Sequence, residues 1–369
     1  MFMPWSPLLS LRLRASRLPW EGLAPDVAVF AKGRHALLAG FRLLAREGVR
    51  RVWLPAFLCR GIVDVAEAAG LEAPLYDVGP ALAPRLDTIT PGRGEALLVA
   101  HYFGLLQPMD DVRALCTQHG MPLIEDAAHI LPDPIASVGA GRDGDIAVFS
   151  LRKQAPVPDG GLLLVRQPRR IPPDLAPAGT RGPVRGKLAL MAMERIAFAT
   201  GWNLLPLKDR LVAAATPGSG RPESNRGPAL PPPARLVGWL VKRVDWLGMI
   251  RAKQGCYRAL AARLVRIPEV HLPVPSLLPG SVPQTLPIWV PDAGRVYHGL
   301  RRAGIEAMRW PGSEQVAVDP ARYPGAAAWL ERSIDLPVNT GLSERHLDVI
   351  AGALADLTAA PVQVRSKAA

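Results

Sequence analysis

Asp126, His129, Ser150 and Lys153 lie within one short stretch and are of types that can share a reaction. A lysine amine condenses with an aldehyde to a Schiff base, and a carboxylate facing a pyridine nitrogen keeps that ring protonated and electron-withdrawing. A serine hydroxyl at a strand end can hold a phosphate. Together these residues suit an aldehyde cofactor that carries a phosphate. Taken singly, each has an ordinary explanation: Asp126 as a helix cap, His129 as a satisfied loop histidine, Ser150 as the end of a strand, Lys153 as a solvated surface group.

The elements that must position them are short and apolar. Residues 122–124 and 146–149 form two runs that stop on Glu125-Asp126 and on Ser150, and a third run, 162–165, follows Gly160-Gly161. Such runs predict buried strands, and in open α/β sheets ligands collect at the carboxyl ends of strands. Upstream, residues 27–30 predict a strand, after which Gly33-Arg34-His35 opens a helix marked by Ala36, Leu37, Phe41, Leu43 and Leu44. Free amides and the positive end of the dipole make that helix start a phosphate site. Strands at 52–54, 75–78 and 96–101 alternate with helices at 62–69 and 109–119, which predicts a mostly parallel sheet with helices on both faces.

Downstream come an apolar helix over 187–205, a mobile low-complexity loop over 217–233, and a long helical pattern over 236–266. A strand at 285–290, a helix at 294–303, a strand opening at Gly304-Ile305, the triplet Arg309-Trp310-Pro311 and a final helix headed by Ser343 complete a small α/β region. The expected division is an irregular segment 1–26, a large domain 27–235, a connecting helix 236–266 and a small C-terminal domain 267–369.

The 369 residues carry a net charge of +12, but the arginines are dispersed rather than run in blocks or interleaved with aromatics. That pattern argues for a solvated basic surface with some attraction for phosphorylated substrates, and against nucleic acid as partner. Three cysteines far apart in sequence, Cys59, Cys116 and Cys256, indicate neither a disulfide framework nor a metal site and fit a reducing compartment. No signal-peptide pattern opens the chain, so the expected location is cytoplasmic. The apolar stretch 188–205 is interrupted by Glu194, Arg195 and Asn203, short of a transmembrane span. The run Gly139 to Gly144 fits G-x-G-x-x-G but precedes a strand instead of following one, so it reads as a loop and not as a dinucleotide site.

With these residues in place, the chain resembles the DegT/DnrJ-type sugar aminotransferases, pyridoxal-phosphate enzymes of fold type I. The resemblance rests on Glu125-Asp126-Ala127-Ala128-His129, on Gly141 to Asp145, on Phe149-Ser150, and on Lys153 spaced from Gly160-Gly161. His101-Tyr102-Phe103-Gly104 and the closing Leu336-Pro337-Val338-Asn339 add to it. Three positions depart from the family pattern. Arg34 stands where the family has a threonine, Cys59 where it often has a ring-stacking aromatic, and Lys153 arrives early when counted from Ser150.

The resemblance implies pyridoxal 5'-phosphate as cofactor, with Lys153 as its Schiff-base residue and proton carrier and Asp126 as the partner of the ring nitrogen. His129 would lie beside the ring, Ser150 and the Arg34-His35 helix start at the phosphate, and Cys59, Phe57 or Tyr102 at the ring face. It further implies an amino-acid donor, glutamate in the family, a keto-sugar acceptor that is usually nucleotide-linked and destined for polysaccharide or glycoside, and a homodimer. Two alternatives remain open: a sugar dehydratase or other lyase on the same fold, against which Lys153 speaks, and a catalytically silent regulatory or scaffold protein. The basic, partly apolar segment 183–213 also leaves contact with a membrane surface open.

Overall fold

The apolar runs become a seven-stranded sheet in the computed structural model, which describes residues 1–4, 7, 17–179, 184–215, 229–312 and 315–359. In chain order the sheet region contains β1 (Asp26–Phe30), α1 (Gly33–Arg46), β2 (Arg51–Pro55), α2 (Arg60–Ala68), β3 (Leu75–Tyr76), β4 (Glu95–Ala100) and α3 (Asp110–His119). There follow β5 (Leu123–Ala127), β6 (Ile146–Ser150), the one-turn helix α4 (Leu151–Gln154) and β7 (Gly161–Val165). The strand order is β1-β7-β6-β5-β4-β2-β3. All neighbours are parallel except at β7, which runs against both β1 and β6. The parallel sheet with helices on both faces is therefore as expected, with one reversed strand.

Side chains alternate across a strand, so each strand serves two cores. Ile124, Ile146, Val148 and Leu163 face the layer of α1 with its Leu37, Phe41 and Leu44. Ala127, Ala147, Phe149, Leu162 and Leu164 face the other way, against Val237, Trp246 and Ile250. The same alternation turns Asp126 and Ser150 toward α1 and leaves Glu125 on the opposite side, a division that matters below.

Past β7 the helices are more broken than the sequence pattern suggested. The apolar stretch is two helices, α5 (Arg185–Thr200) and α6 (Leu205–Ala215), separated where Gly201 takes a left-handed φ of 72°. The pattern over 236–266 is likewise two, α7 (Arg235–Val241) and α8 (Trp246–Leu264), because Asp245 accepts the Gly248 N–H and caps a fresh start. Most of the low-complexity loop, its residues 217–228, lies outside the described residues. Among the described residues no helix is long and apolar enough to cross a membrane.

The C-terminal region holds β8 (Thr285–Trp289), α9 (Ala293–Arg302), α10 (Pro324–Arg332), β9 (Ser333–Pro337) and α11 (Glu344–Ala359), with β8 and β9 antiparallel. Gly304-Ile305 opens no strand of this sheet. Instead Ile305 bridges Met3, with Met3 N–H donating to Gly304 O at 2.9 Å and Glu306 N–H to Met3 O at 2.9 Å. Phe2 and Met3 are fully buried there, so the first residues are packed into the C-terminal region.

One contact ties the sheet to the helix start. A Cβ on Gly161 would stand 2.1 Å from Lys32 O and 2.5 Å from Gly33 N, so only glycine lets β7 pass beneath the opening of α1. Gly161→Ala is expected to destabilise the fold by at least about 2 kcal/mol, since the obstructing atoms are backbone and cannot step aside. Urea unfolding measures this, and an unchanged midpoint would contradict the contact.

Candidate active site

A cavity of about 310 Å³ opens at the carboxyl ends of β4, β5 and β6, closed on the far side by the β8–β9 region. Each strand contributes its last inward residue: Ala100 and His101 from the end of β4, Asp126 from β5, Val148 and Ser150 from β6. The turn after β6 adds Arg152 and Lys153, the opening of α1 adds Lys32, Gly33 and Arg34, and Cys59 comes from the turn before α2. Of the residues singled out from sequence, Arg34, Cys59, Asp126, His129, Ser150 and Lys153 all line this cavity. His35 is half-buried and does not, because one residue further along a helix points about 100° away. Of the two aromatic candidates, Tyr102 lines the cavity; Phe57 packs behind it at 5.5 Å between ring centroids and accepts the Tyr102 hydroxyl at its carbonyl, 2.6 Å.

The glycine pair explains why Lys153 arrives where it does. Gly160, at φ 121°, lies against Leu151, and Gly160 O accepts the Leu151 N–H at 3.0 Å while its own N–H donates to Ala31 O at 2.9 Å. The turn of α4 is thus fixed from β7, and Lys153 enters the cavity despite the short run from Ser150. From behind, Gln154 donates to the carbonyls of His129 and Val282 and accepts from the buried Lys253 Nζ at 2.6 Å. At the other end of the cavity, a Cβ on Gly33 would lie 3.7 Å from Ser150 Oγ, so the serine hydroxyl stands at the N-terminus of the 14-residue helix α1.

Buried in such a place, the charged groups are displaced from their usual titration. Burial pushes the Lys153 amine down to about 8, with Arg152 adding to the effect and the Asp126 and Cys59 side chains opposing it. Burial raises the Asp126 carboxyl, against the pull of Lys153 and of the Ala128 N–H, which donates to Asp126 Oδ1 at 2.9 Å. Asp126 therefore lacks a full counter-charge among the described residues. Burial also drives the His129 imidazole well below its ordinary value, helped by Lys153 and Arg152, so the ring is neutral. Its Nδ1 accepts the Phe103 N–H at 3.2 Å, an amide aimed by the positive φ of Phe103, 57°.

Glu125 takes no part in the cavity. Burial disfavours its charge, yet the His101 hydrogen bond at 2.9 Å and the amides of Gly141 and Gly144 outweigh that and hold the carboxyl low. Those amides and that of Asp143 belong to the glycine-rich loop before β6, so the apparent dinucleotide motif is a loop wrapped on a carboxylate.

Sequence reasoning passed over Arg152, Thr285, Met308 and Asp335, which also line the cavity, and quoted Trp310 without giving it a role. Trp310 stands edge-on to His129 at 5.2 Å. The signal for Asp335 was present: an acidic residue among the apolar neighbours Ile334, Leu336 and Pro337.

The strand order, the reversed β7 and the site at the ends of the parallel strands define a fold-type-I pyridoxal-phosphate-dependent transferase fold. A solved structure of the aminotransferase TlmJ from Streptoalloteichus hindustanus superposes with a TM-score of 0.66 at 18% identity, covering 96% of this chain and 98% of that one. Residues 27–171 match the DegT/DnrJ/EryC1/StrS aminotransferase family. A UDP-N-acetyl-3-dehydro-alpha-D-glucosamine 3-aminotransferase of Acidithiobacillus ferrooxidans is 29% identical over 152 residues, 39% of this chain and 41% of that protein. A dTDP-4-dehydro-2,3,6-trideoxy-D-glucose 4-aminotransferase of Saccharopolyspora spinosa is 24% identical over 351 residues, 89% of this chain and 84% of that protein.

A lowered amine is unprotonated, hence nucleophilic, above its pKa. Competitive acetylation followed by mass spectrometry is expected to give Lys153 a midpoint near pH 8, and a lower one in Asp126→Asn, where the carboxylate that raises it is gone. A Lys153 midpoint at the ordinary lysine value of 10.5 would contradict the site's electrostatics.

Proposed function

We propose that this protein is a pyridoxal-phosphate-dependent aminotransferase that moves an amino group from an amino acid, glutamate by family resemblance, to the keto group of a sugar. The observation that carries this reading is the pairing in one cavity of a depressed lysine, Lys153, with an under-compensated buried carboxyl, Asp126. The donor set fits the cofactor. A protonated ring nitrogen is the counter-charge Asp126 lacks, and an amine near 8 is poised for a carbonyl at neutral pH. The amides opening α1, the Ser150 hydroxyl and Arg34 suit a phosphate, with the arginine's charge in place of the family's threonine hydroxyl.

Bound there, the cofactor supplies a ring that withdraws electrons from the carbon losing its proton. The protein's part is to orient and to move that proton. Asp126 would keep the ring nitrogen protonated, and Lys153 Nζ would carry the proton from the donor's α-carbon to C4′ of the cofactor in the first half-reaction and from C4′ to the acceptor's carbon in the second. Neutral His129, Tyr102 and Trp310 wall the cavity and limit water. The acceptor of the reading is a nucleotide-linked keto sugar on the way to a polysaccharide or glycoside. A homodimer and a cytoplasmic location accompany it, on family resemblance and on cysteine usage.

Mass spectrometry of 2-oxoglutarate tests the donor half. Loaded protein mixed with glutamate is expected to release one keto acid per cofactor in a single turnover, and Lys153→Ala to slow this by roughly 10²–10⁴-fold. Bound cofactor that yields no keto acid from any amino acid would transfer the assignment to a lyase. Failure to bind cofactor would leave a silent regulatory or scaffold protein.

A further inference from the structure

The wall of the cavity contributed by the small domain has a polar composition that the transfer chemistry does not use. Thr285 and Asp335 line the cavity from β8 and β9, and are 2% and 1% exposed. In the antiparallel register Thr285 opposes Pro337 and Pro287 opposes Asp335, so Thr285 and Asp335 are diagonal neighbours on one face of the hairpin. Asp335 Oδ2 accepts the Trp310 N–H at 3.1 Å. Asp335 Oδ1 and Thr285 Oγ1 are buried and find no hydrogen-bond partner among the described residues. Two neighbouring buried oxygens left unpaired on a cavity surface are costly unless a ligand completes them.

What would complete them is narrowed by their surroundings. Met308, Trp310 and Pro311 flank the pair with apolar and aromatic surface, and the cations Arg34, Arg152 and Lys153 come from the large domain. An anionic group is drawn to those cations, so it belongs on their side of the cavity and not on the hairpin wall. A deoxygenated, apolar ring would leave both oxygens unpaired. Hydroxyl groups both donate and accept, and so satisfy a threonine hydroxyl and a carboxyl together.

We propose that Thr285 and Asp335 are specificity-determining residues that bind neighbouring hydroxyls of the acceptor, so that this enzyme selects polyhydroxylated keto sugars over deoxygenated ones. The inference rests on the transferase reading given above. Burial moreover pushes the Asp335 carboxyl up to about 8. A hydroxyl can pair with that group in either protonation state.

The probes are dTDP-4-dehydro-2,3,6-trideoxyglucose, the ketone named for the Saccharopolyspora relative, and its counterpart hydroxylated at carbons 2 and 3. They share nucleotide and keto position, so the ratio of their kcat/KM values isolates the hydroxyls and cancels general damage to a variant. Wild type is expected to favour the hydroxylated ketone by at least about tenfold. Thr285→Val and Asp335→Leu should bring the ratio near unity, while Thr285→Ser and Asp335→Asn, which keep a hydrogen-bonding oxygen, retain most of it. Calorimetry with the two corresponding 4-hydroxy sugar nucleotides, which carry no ketone, should show the same ratio in dissociation constants. Parity or preference for the trideoxy sugar in wild type, an unchanged ratio in the Val and Leu variants, or no binding of either sugar would overturn the proposal. Wild type that forms no keto acid from glutamate overturns the transferase reading instead, and the calorimetric ratio still decides whether the hairpin wall recognises hydroxyls.

Discussion

The close passage of Gly160-Gly161 beneath Lys32-Gly33 and against Leu151 is the constraint on which the site depends. Three pieces of chain distant in sequence meet there without side chains between them: the end of β7's preceding turn, the opening of α1 and the turn of α4. Their backbone hydrogen bonds, Gly160 N–H to Ala31 O and Leu151 N–H to Gly160 O, set the height of α4 over the sheet. The opening of α1 and Lys153 are thereby held around one cavity by backbone geometry. Backbone contacts of this kind give less than long side chains do, and placement of the reacting groups is much of what catalysis requires.

Within that frame the cavity is electrically lopsided. The side of the seven-stranded sheet offers Arg34, Arg152 and Lys153, and the β8–β9 side offers a carboxyl and a hydroxyl beside Met308 and Trp310. Asp126 lies at the base, its charge disfavoured by burial and only partly answered by Lys153. Such a site is incomplete by itself: a buried carboxyl only partly compensated and, among the described residues, two side-chain oxygens without hydrogen-bond partners. A phosphorylated, ring-protonated cofactor and a hydroxylated acceptor would satisfy these groups together. Buried Lys253, held through Gln154 to the His129 carbonyl, braces α4 from the side away from the cavity.

Much of this was legible in the residues. Short continuous apolar runs with abrupt polar ends marked β5 and β6, and the spacing of Lys153 from the glycine pair was a better guide than its distance from Ser150, because a Cβ-free crossing cannot shift while a turn can shorten. The misreadings have local causes. The helical pattern over 236–266 concealed a break, since apolar spacing continues across Asp245 although its side chain caps a new helix. The first residues showed no periodicity because they form a single bridge to Ile305, too short to leave a pattern. Thr285 and Asp335 were invisible as a pair because only the β8–β9 register, fifty residues apart in sequence, brings them together.

The visible absorbance spectrum of the purified protein on addition of pyridoxal phosphate tests the central claim most directly. The account predicts a band of the protein-linked cofactor that requires Lys153, is lost in Lys153→Ala and disappears when glutamate is added. A band that persists in Lys153→Ala, or no band in the wild type, would contradict it.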